Sequence, residues 1–510
     1  MQPDKQTRFD FAWLGRSNAG LLAAACALVF SAMGASAFFL FKKTAYFDDS
    51  FIYLHMAANI VELGTARYFP IAESGMLLSS SPLRLLTLVP AFGALEFFNV
   101  PLRTIEAARF AFLCSGFVAF LCFLPFWCNR LKSYLLLGSA FFLLSMALDT
   151  LFLMEGGVLL LSLFTLVKLL SEKTENHFAI GLALLLVGLS RPEIGVVAII
   201  STVLIYLSQP QALFKIMLAL LLGFLVYAAI MLLLGVYPIP STIWSKQITG
   251  KLKMFTDKNL IEILPGDIAQ MMGLNGPVVG WILIGLPAAF ALLLARAAVP
   301  VVSAICLLLL IAVSMPGNFT WYSENFMIAL WAIMLAVSVA IYQKRGMKMA
   351  APLAVLLLLA FALTLLANLG KNKPYPWNEN SPGYLAYQEV GKSAVGDGKY
   401  LIKPYSNEPV RIRMCEIGIV SFFAGPDAWI YDVCGLVQIG NLQGASQSWL
   451  RYFYPSSFGE TGDEQLARFK DPQARPVIDV WALRNPAEAA AAVGQCQFVN
   501  ERFCINTYKP

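Results

Sequence analysis

Apolar segments recur along most of this chain, and they limit what it can fold into more than any other feature. A membrane-spanning helix needs about 20 mostly apolar residues, because lipid offers no hydrogen-bond partner to an open backbone. Charged residues make up 13% of the chain, against about 25% in soluble domains. The pattern predicts an α-helical polytopic membrane protein. The candidate segments are 19–41, 83–98, 108–127, 134–148, 157–170, 178–190, 193–208, 212–235, 277–295, 299–315, 325–342 and 350–368.

The basic residues between these segments predict the topology, because short cytosolic loops are rich in Lys and Arg. A cytosolic N-terminus and an external C-terminus require an odd number of spans, so one segment does not cross. Segment 83–98 is short and is bounded by Pro82 and Pro101. If it lies at the interface, the basic loops all fall inside, and we predict about eleven spans. The basic residues concerned are Arg130, Lys132, Lys168, Lys173, Lys215, Arg296, Lys344, Arg345 and Lys348.

A change in composition near residue 370 divides the chain into two predicted domains. Residues 1–370 are expected to form a transmembrane domain with a first outer loop at 42–82, and residues 371–510 a periplasmic α/β domain. Strand-like runs and an alanine-rich run predict the elements of this tail. The predicted strands are 410–414, 417–423, 429–433 and 477–481, with a turn at 425–427 and a helix at 486–493.

Four cysteines lie in the tail, and an even number in one segment suits an oxidising compartment. Cys496 and Cys504 flank a run that could form a short hairpin. We favour the disulfides Cys496–Cys504 and Cys415–Cys434, although four cysteines allow three pairings. Free thiols in a cytosolic tail are the alternative.

Two adjacent carboxylates, Asp48 and Asp49, follow the first apolar segment directly. Charges so close to a bilayer are costly unless they are solvated or used. Like charges side by side favour proton uptake by one of the two groups, and a carboxylate so placed can act as a general base. Aspartate is also common at helix N-termini, so a helix cap is the simpler alternative. His55 and Asn59 lie one turn apart on the helix that follows, where packing explains a histidine more simply than catalysis does.

Ser80 and Ser81, just before Pro82, could offer hydroxyl groups to a phosphate or a sugar. A turn followed by a helix start explains the same residues more simply. Arg67 and Arg84 lie outside in the predicted topology, against the positive-inside trend. They could hold an anionic ligand or contact lipid headgroups.

Charged residues also interrupt later pairs of apolar segments on the outer side. Glu155 lies in one such turn, and Arg191 and Glu193 flank a proline in another. Arg191 and Glu193 can pair with each other, which is the simpler use of both charges.

The remaining candidates on the outer side are a lysine and an aromatic group. Lys246 lies in the long outer loop at 236–275, and Trp321, Tyr322 and Glu324 lie in an outer turn at 316–324. An aromatic belt at the membrane interface explains the aromatic residues as well as a sugar platform does.

Several function classes are excluded by what the sequence lacks. It has no P-loop, no dinucleotide glycine motif and no zinc-ligand spacing, and its two histidines argue against a histidine-built metal site. The net charge of +6 fits positive-inside loops and gives no sign of nucleic-acid binding. We therefore predict no cofactor. A divalent metal shared by Asp48, Asp49 and Glu155 is an open alternative.

In their order, these motifs resemble the GT-C glycosyltransferases, in particular the mycobacterial terminal arabinofuranosyltransferases and their bacterial relatives. Each motif alone is weak, but their order and spacing extend over nearly the whole chain. Ser80 stands where that family has Thr, Arg84 where it has Trp and Ser241 where it has Asn, and these departures concern the sugar and the acceptor. The matching stretches are 48–52 with Asn59, 80–83, 154–155, 189–193, 238–242 with Lys246, 416–419 and 432–436.

The resemblance implies an inverting transfer of a sugar from a polyprenyl-phosphate donor to a hydroxyl of a periplasmic glycan or glycoprotein. It implies Asp48 or Asp49 as the base that deprotonates this hydroxyl. For the donor phosphate, the implied cations are Arg191, Lys246, Arg67 and Arg84. The residues implied for the sugar and the acceptor are His55, Asn59, Ser80, Ser81, Glu155, Glu193, Trp321, Tyr322 and Glu324.

Arabinofuranose is the sugar that we expect first, and a pilus subunit is one acceptor considered. A transferase of a hexose or modified sugar to lipopolysaccharide is one alternative, and a transporter or flippase of a lipid-linked sugar is another. A transporter is expected to place its charges mid-membrane between repeated halves, and this sequence has no such repeat. The expected location is the bacterial inner membrane, with the active site and the tail in the periplasm.

Overall fold

The computed structural model describes residues 48–68, 77–123, 155–171, 176–240, 242, 258–271, 276–292, 295–314, 320–345, 382–394, 410–414, 417–432, 477–482, 497–500 and 503–507. This part of the chain is mostly helical, as the apolar patterning predicts. The helices are α1 (Asp48–Leu63), α2 (Pro82–Phe97), α3 (Ile105–Phe123), α4 (Gly156–Ser171), α5 (His177–Ser190), α6 (Pro192–Tyr206), α7 (Pro210–Leu233), α8 (Leu260–Met271), α9 (Pro277–Leu292), α10 (Ala295–Ser314), α11 (Thr320–Arg345), α12 (Pro382–Ala394) and α13 (Gly418–Ala424). The strands are β1 (Val410–Met414), β2 (Ala428–Asp432), β3 (Val477–Ala482), β4 (Gln497–Asn500) and β5 (Phe503–Thr507).

The described residues divide into two compact units. The helical unit contains residues 116–123, 155–226 and 258–345, and the mixed unit contains residues 48–115, 227–242 and those from 382 onwards. The domain boundary expected near residue 370 stays a prediction, because residues 346–381 lie outside the described part.

The helical unit is built on one apolar core, to which α4, α5, α6, α8, α10 and α11 contribute buried Leu, Ile, Val and Phe side chains. Small residues bring two of these helices close together. A Cβ atom on Gly195 of α6 would lie 2.6 Å from the Cα atom of Gly188 in α5, which is closer than real Cβ atoms come. This close approach sets the geometry of the turn between α5 and α6, where Arg191 and Glu193 lie.

Helix α7 carries the clearest membrane signature in the described part of the chain. It has 24 residues and is the one described helix long and apolar enough to cross a bilayer. Its middle exposes large apolar side chains, with Leu221 and Leu225 both 54% exposed and Val226 62% exposed. Such a surface is unfavourable in water and suits lipid. The predicted number of spans stays a prediction, because segments 19–41, 134–148 and 350–368 lie outside the described residues.

The mixed unit combines two helices that follow the first apolar segment with a helix pair and a sheet from the tail. Helix α13 packs against α1 on one side and against α12 on the other. The sheet has the strand order β2-β1-β3-β5-β4. In it β1 pairs in parallel with β2 and β3, and β5 pairs antiparallel with β3 and β4. The β4–β5 pair confirms the short hairpin expected from the sequence.

One predicted strand is wrong. Residues 417–423 read as a strand, but Gly418–Ala424 form helix α13. All seven residues of this helix are buried, so the segment is apolar on every side and its sequence shows neither a helical nor a strand period. Packing between two helices decides its conformation here. The alanine-rich helix predicted at 486–493 lies outside the described residues.

Candidate active site

The two carboxylates lie in the first turn of α1, which begins at Asp48. The Asp49 side chain is half-buried, and Ser50 and Phe51 beside it are fully buried. Negative charge is stabilised at a helix N-terminus by the aligned backbone dipoles. The helix start therefore accommodates the pair as a cap, and the role of either carboxylate as a base stays a proposal. The Asp48 side chain itself lies outside the described structure.

His55 and Asn59 are completely buried on the same helix and bind the segment that follows it. Nε2 of His55 lies 2.8 Å from the Tyr68 carbonyl oxygen. Nδ2 of Asn59 donates to the carbonyl oxygens of Arg67 at 2.8 Å and Tyr68 at 3.2 Å. Both side chains thus hold the chain at 67–68 against α1, and their expected contact with a sugar stays a proposal.

Arg103, which the sequence analysis did not single out, completes this cluster. Its Nη1 donates to Nδ1 of His55 at 3.0 Å, and its Nη2 donates to Oδ1 of Asn59 at 2.7 Å. Because Nδ1 accepts this hydrogen bond and Nε2 faces a carbonyl oxygen, the ring is neutral and carries its proton on Nε2. Burial lowers the pKa of His55 well below its usual value, the charge of Arg103 lowers this pKa further, and backbone hydrogen bonds at Tyr68 and Ser421 oppose the shift.

A signal for Arg103 was present in the sequence. It follows segment 83–98, so in the predicted topology it lies outside, against the positive-inside trend. A basic residue on the outer side was the reason for choosing Arg67 and Arg84 as candidates. Arg103 meets the same criterion. Nη2 of Arg103 also forms an ion pair with Oε2 of Glu62 at 2.6 Å. Glu62 gave no such signal, since a single exposed glutamate near a helix end is common.

The serine run forms the helix start that the sequence predicted. Ser81 is the N-cap of α2, and its hydroxyl accepts a hydrogen bond from the Arg84 backbone N–H at 3.3 Å. The Ser80 hydroxyl lies 2.6 Å from the Tyr53 hydroxyl, which joins the run to α1. The hydroxyl of Ser79 is buried and has no hydrogen-bond partner among the described residues.

Arg67 and Arg84 occupy different surroundings within the mixed unit. Nε of Arg67 donates to the Gly235 carbonyl oxygen at 3.1 Å and is half-buried. Arg84 is buried in α2, where its Nη1 donates to the Ser115 hydroxyl and its guanidinium carbon lies 5.3 Å from the centre of the Phe112 ring. Of the two, Arg67 is nearer to the surface and better placed to meet a ligand.

In the helical unit, Arg191 is the centre of a buried ion cluster. It forms an ion pair with Glu155, which is completely buried, and its Nη1 lies 3.3 Å from Oε1 of Glu193. The pairing of Arg191 with Glu193 was predicted from their spacing and is confirmed. The Arg191 guanidinium carbon also lies 5.0 Å from the centre of the Tyr322 ring, a cation–π contact.

The first turns of α11 supply the other side of this cluster. The sequence placed residues 316–324 in a turn, but helix α11 already begins at Thr320, so Trp321, Tyr322 and Glu324 are helical. One residue further on, Nδ2 of Asn325 donates to Oε1 of Glu155 at 3.2 Å. A helix aims neighbouring residues in fixed directions, so it positions these groups more firmly than a turn would. The side chains of Trp321 and Glu324 lie outside the described structure.

Asp267 of α8 is a further carboxyl group that reaches α11, and sequence analysis missed it. Its Oδ2 accepts a hydrogen bond from the Ser323 hydroxyl at 2.6 Å. The pKa of Asp267 is raised above its usual value. Burial causes the rise, and the hydrogen bond from Ser323 offsets only part of it. Nothing in the local sequence marks it, because it lies in a plain amphipathic helix.

Lys246 lies outside the described residues, as do Cys415, Cys434 and Cys496 of the predicted disulfides. Cys504 lies in β5, but its side chain is outside the description. Among the described residues, no group of three or more His, Cys, Asp or Glu side chains is placed to hold a metal ion. The described candidates thus form two groups, one around α1 in the mixed unit and one around Arg191 in the helical unit.

No protein-family model matches the chain, and no curated protein matches it. Solved structures similar to it include ArnT from Cupriavidus metallidurans bound to undecaprenyl phosphate, which is 11% identical, with 96% of this chain and 98% of that chain covered and a TM-score of 0.49. The Archaeoglobus fulgidus oligosaccharyltransferase in its apo form is 12% identical over 90% of this chain and 69% of that chain, with a TM-score of 0.45. The archaeal oligosaccharyltransferase AglB from Archaeoglobus fulgidus, in complex with an inhibitory peptide and a dolichol-phosphate, is 13% identical over 91% of this chain and 70% of that chain, with a TM-score of 0.45. Likeness of this degree does not assign the chain to a family.

Proposed function

We propose that the protein is an inverting glycosyltransferase of the GT-C type, which moves a sugar from a polyprenyl-phosphate donor to a hydroxyl group in the periplasm. The observation that supports this most is the buried cluster of Glu155, Arg191 and Tyr322. Glu155 and Arg191 belong to two separate stretches that carry the family resemblance, and they meet at the start of α11. Buried charges in a membrane protein are costly and are usually retained for function.

The reaction needs one base and a set of cations. The acceptor oxygen attacks C1 of the donor sugar from the face opposite the phosphate, the bond between C1 and the phosphate oxygen breaks, and the configuration at C1 inverts. The acceptor proton passes to Asp48 or Asp49. The lipid phosphate leaves as an anion, so a strong general acid is not required, and cations must stabilise its charge.

The candidate cations differ in how free they are to do this. Arg191 is already paired with two carboxylates, so a donor phosphate would have to share it with Glu155 and Glu193. Among the described residues, the Arg67 side chain donates one hydrogen bond, from Nε to the Gly235 carbonyl oxygen, and its other N–H groups could serve a ligand. We therefore assign the phosphate first to Arg67, with Arg191 and Arg84 as supporting cations, and we keep Lys246, which lies outside the described residues, as a candidate on the resemblance alone. Glu155 and Glu193 then orient Arg191 or accept hydrogen bonds from sugar hydroxyls.

Arabinofuranose is the sugar that we propose, and a periplasmic glycan or glycoprotein, such as a pilus subunit, is the acceptor. The resemblance in the stretches at 48–52 and 189–193 is the basis for the sugar. We place the protein in the inner membrane with both groups of residues on the periplasmic face, which follows from the distribution of basic residues. A divalent metal shared by Asp48, Asp49 and Glu155 is the alternative to direct base catalysis.

The test is transfer by purified protein in lipid nanodiscs, with synthetic polyprenyl-phosphate arabinofuranose and polyprenyl-phosphate hexose as donors. Asp48→Asn and Asp49→Asn each keep the size of the side chain and remove its basicity. We expect the loss of the true base to lower kcat by about 10²- to 10⁴-fold. Transfer is followed by mass spectrometry of the acceptor, as a gain of one pentose.

Glu96→Gln, an exposed change near the end of α2, is the matched control and should leave transfer unchanged. If both single variants and the double variant keep full activity, the assignment of the base is wrong. A gain of one hexose instead would support the alternative transferase. Movement of donor lipid between leaflets with no product would support the flippase.

A further inference from the structure

Arg103 lies in the loop between α2 and α3 and contacts two different helices of the mixed unit. On α1 it binds His55, Asn59 and Glu62, which are spaced four and three residues apart and therefore share one helix face. On α13 its Nη1 donates to the carbonyl oxygen of Phe422 at 3.2 Å. One side chain thus joins the helix that begins with the carboxylate pair to a helix of the tail.

Each of the three nitrogens of the Arg103 guanidinium donates to at least one of these partners. Nε and Nη2 donate to Oε2 of Glu62 at 3.1 and 2.6 Å, at the more exposed edge of the cluster. The inner donors bind the buried His55, Asn59 and Phe422 described above. The Arg103 side chain is only 14% exposed. A planar guanidinium can serve these separate acceptors together, whereas a lysine ammonium has three donors on one atom.

Apolar contacts reinforce the same junction between α1 and α13. The Phe51 ring lies 5.4 Å from the ring of Phe422 and 6.0 Å from that of Phe423, measured between centroids. The Tyr68 hydroxyl donates to the Ile417 carbonyl oxygen at 3.1 Å. Gly425 ends the helix with a φ of +67°, and a Cβ atom there would lie 3.1 Å from Nε of Arg103. The end of α13 is thus shaped around the Arg103 side chain.

We propose that Arg103 is a positioning residue: it holds α1 against α13, so that tail segment 417–425 fixes where the Asp48–Asp49 pair stands. This inference rests on the proposed function and adds a role for the tail in it. His55 is seven residues from Asp48, or about 10 Å along the helix axis. A small tilt of α1 about this contact would therefore displace the carboxylates, and a misplacement of about 1 Å can cost 10²-fold in rate.

The first arm of the test measures kinetics of Arg103→Gln and Arg103→Lys in nanodiscs. Arg103→Gln should lower kcat by about 10²-fold and change KM for the donor much less, because the base is displaced directly, whereas Arg67 is reached only through Asn59 and keeps its bond to Gly235. Arg103→Lys keeps the charge and part of the hydrogen bonding, so we expect an intermediate kcat. Glu106→Gln, an exposed change in the first turn of α3, is the control and should match wild type.

The second arm reports the contact itself, without reference to activity. Hydrogen exchange of the backbone amides in α1 and α13 should be slow in wild type. It should become faster in both helices in Arg103→Gln, by about 10-fold or more, and partly recover in Arg103→Lys. Exchange in α4 and α5 of the helical unit should not change, which separates a local effect from general unfolding.

The two measurements distinguish a failure of the positioning role of Arg103 from a failure of the proposed glycosyl transfer. Faster exchange together with a lower kcat supports the positioning role. Faster exchange with an unchanged kcat overturns it, because the junction then has no bearing on the carboxylates, and so does unchanged exchange in both helices. If wild type transfers no sugar from any donor, the proposed function fails and the positioning role fails with it, whatever the exchange arm reports.

Discussion

At the scale of single residues, His55 is a buried group whose charge state the surrounding structure fixes. Nδ1 accepts from the Arg103 guanidinium, so a proton on that nitrogen would place two cations together in a buried site. Among the described residues, the other titratable groups in contact with this cluster are Tyr68 and Glu62, and α13 offers it backbone oxygens. The native structure therefore excludes the protonated ring, whereas the unfolded chain does not.

This exclusion predicts how stability depends on pH. The folded pKa of His55 lies below its ordinary value of 6.5, so the unfolded chain binds a proton first as pH falls. Stability should be complete above about pH 6.5 and should decrease as pH falls below it, by up to about 1.4 kcal/mol per pH unit. The measurement is the melting temperature in nanodiscs between pH 7.5 and pH 5, compared with His55→Gln.

Glutamine at position 55 offers one donor to Tyr68 and one acceptor to Arg103 and does not titrate. The variant should therefore have a flatter pH profile, and the difference between the two profiles isolates His55 from the other titrating groups. Parallel profiles for the two proteins would mean that His55 is protonated in the folded state after all.

The sequence predicted residues well where the partner is close along the chain. The pairing of Arg191 with Glu193 and the helix start at Ser81 both follow from neighbouring residues. It did not predict the second partner of Arg191, because Glu155 is separated from it by two helices. Arg103 was missed for the same reason: a loop residue shows its role only when α1 and α13 are placed beside it.

At the scale of elements, glycines decide how closely helices approach in the tail. A Cβ atom on Gly391 of α12 would lie 2.8 Å from both the Cβ atom of Phe423 and the carbonyl oxygen of Val420 in α13. Gly391→Ala must therefore push the two helices apart, and we expect it to lower stability by about 1–3 kcal/mol. The control is Gly93→Ala in α2, where a Cβ atom would meet nothing within 4 Å.

Gly93→Ala should instead raise stability by about 0.5–1 kcal/mol, because alanine restricts the unfolded chain and favours the helix. Thermal unfolding of both variants in nanodiscs measures the contrast. Equal effects of the two substitutions would show that the α12–α13 contact is looser than the structure has it.

A sequence pattern predicts the conformation of some elements of this chain and not of others. Strands β1, β2 and β3 were predicted because strand-like residues with clear turns mark them, and the structure confirms all three within a residue or two. Helix α13 was misread as a strand because its residues are buried on every side. A periodic signal arises from the contrast between a buried and an exposed face, and a fully enclosed element has no such contrast.

At the scale of the whole molecule, the two units differ in where their polar and apolar side chains lie. The mixed unit encloses its polar groups around α1 and α13, while the helical unit and α7 expose long apolar side chains. Composition predicted the exposed apolar surface alone, because few charged residues are available to cover it. It could not predict that residues 48–115 and the described residues from 382 onwards would join in one unit, since that depends on contacts far apart in sequence.

The exposed apolar face of α7 predicts the effect of a charge placed on it. Leu222 lies near the middle of α7 and is 45% exposed, whereas Leu233 ends the helix and is 85% exposed. An arginine at the centre of a membrane span costs about 2.5–3.5 kcal/mol, while near the end it can extend to the headgroups. Leu222→Arg should therefore lower the melting temperature of the protein in nanodiscs, and Leu233→Arg should leave it close to wild type. If both variants melt as wild type does, then α7 does not face lipid at Leu222 and its apolar surface is covered by protein.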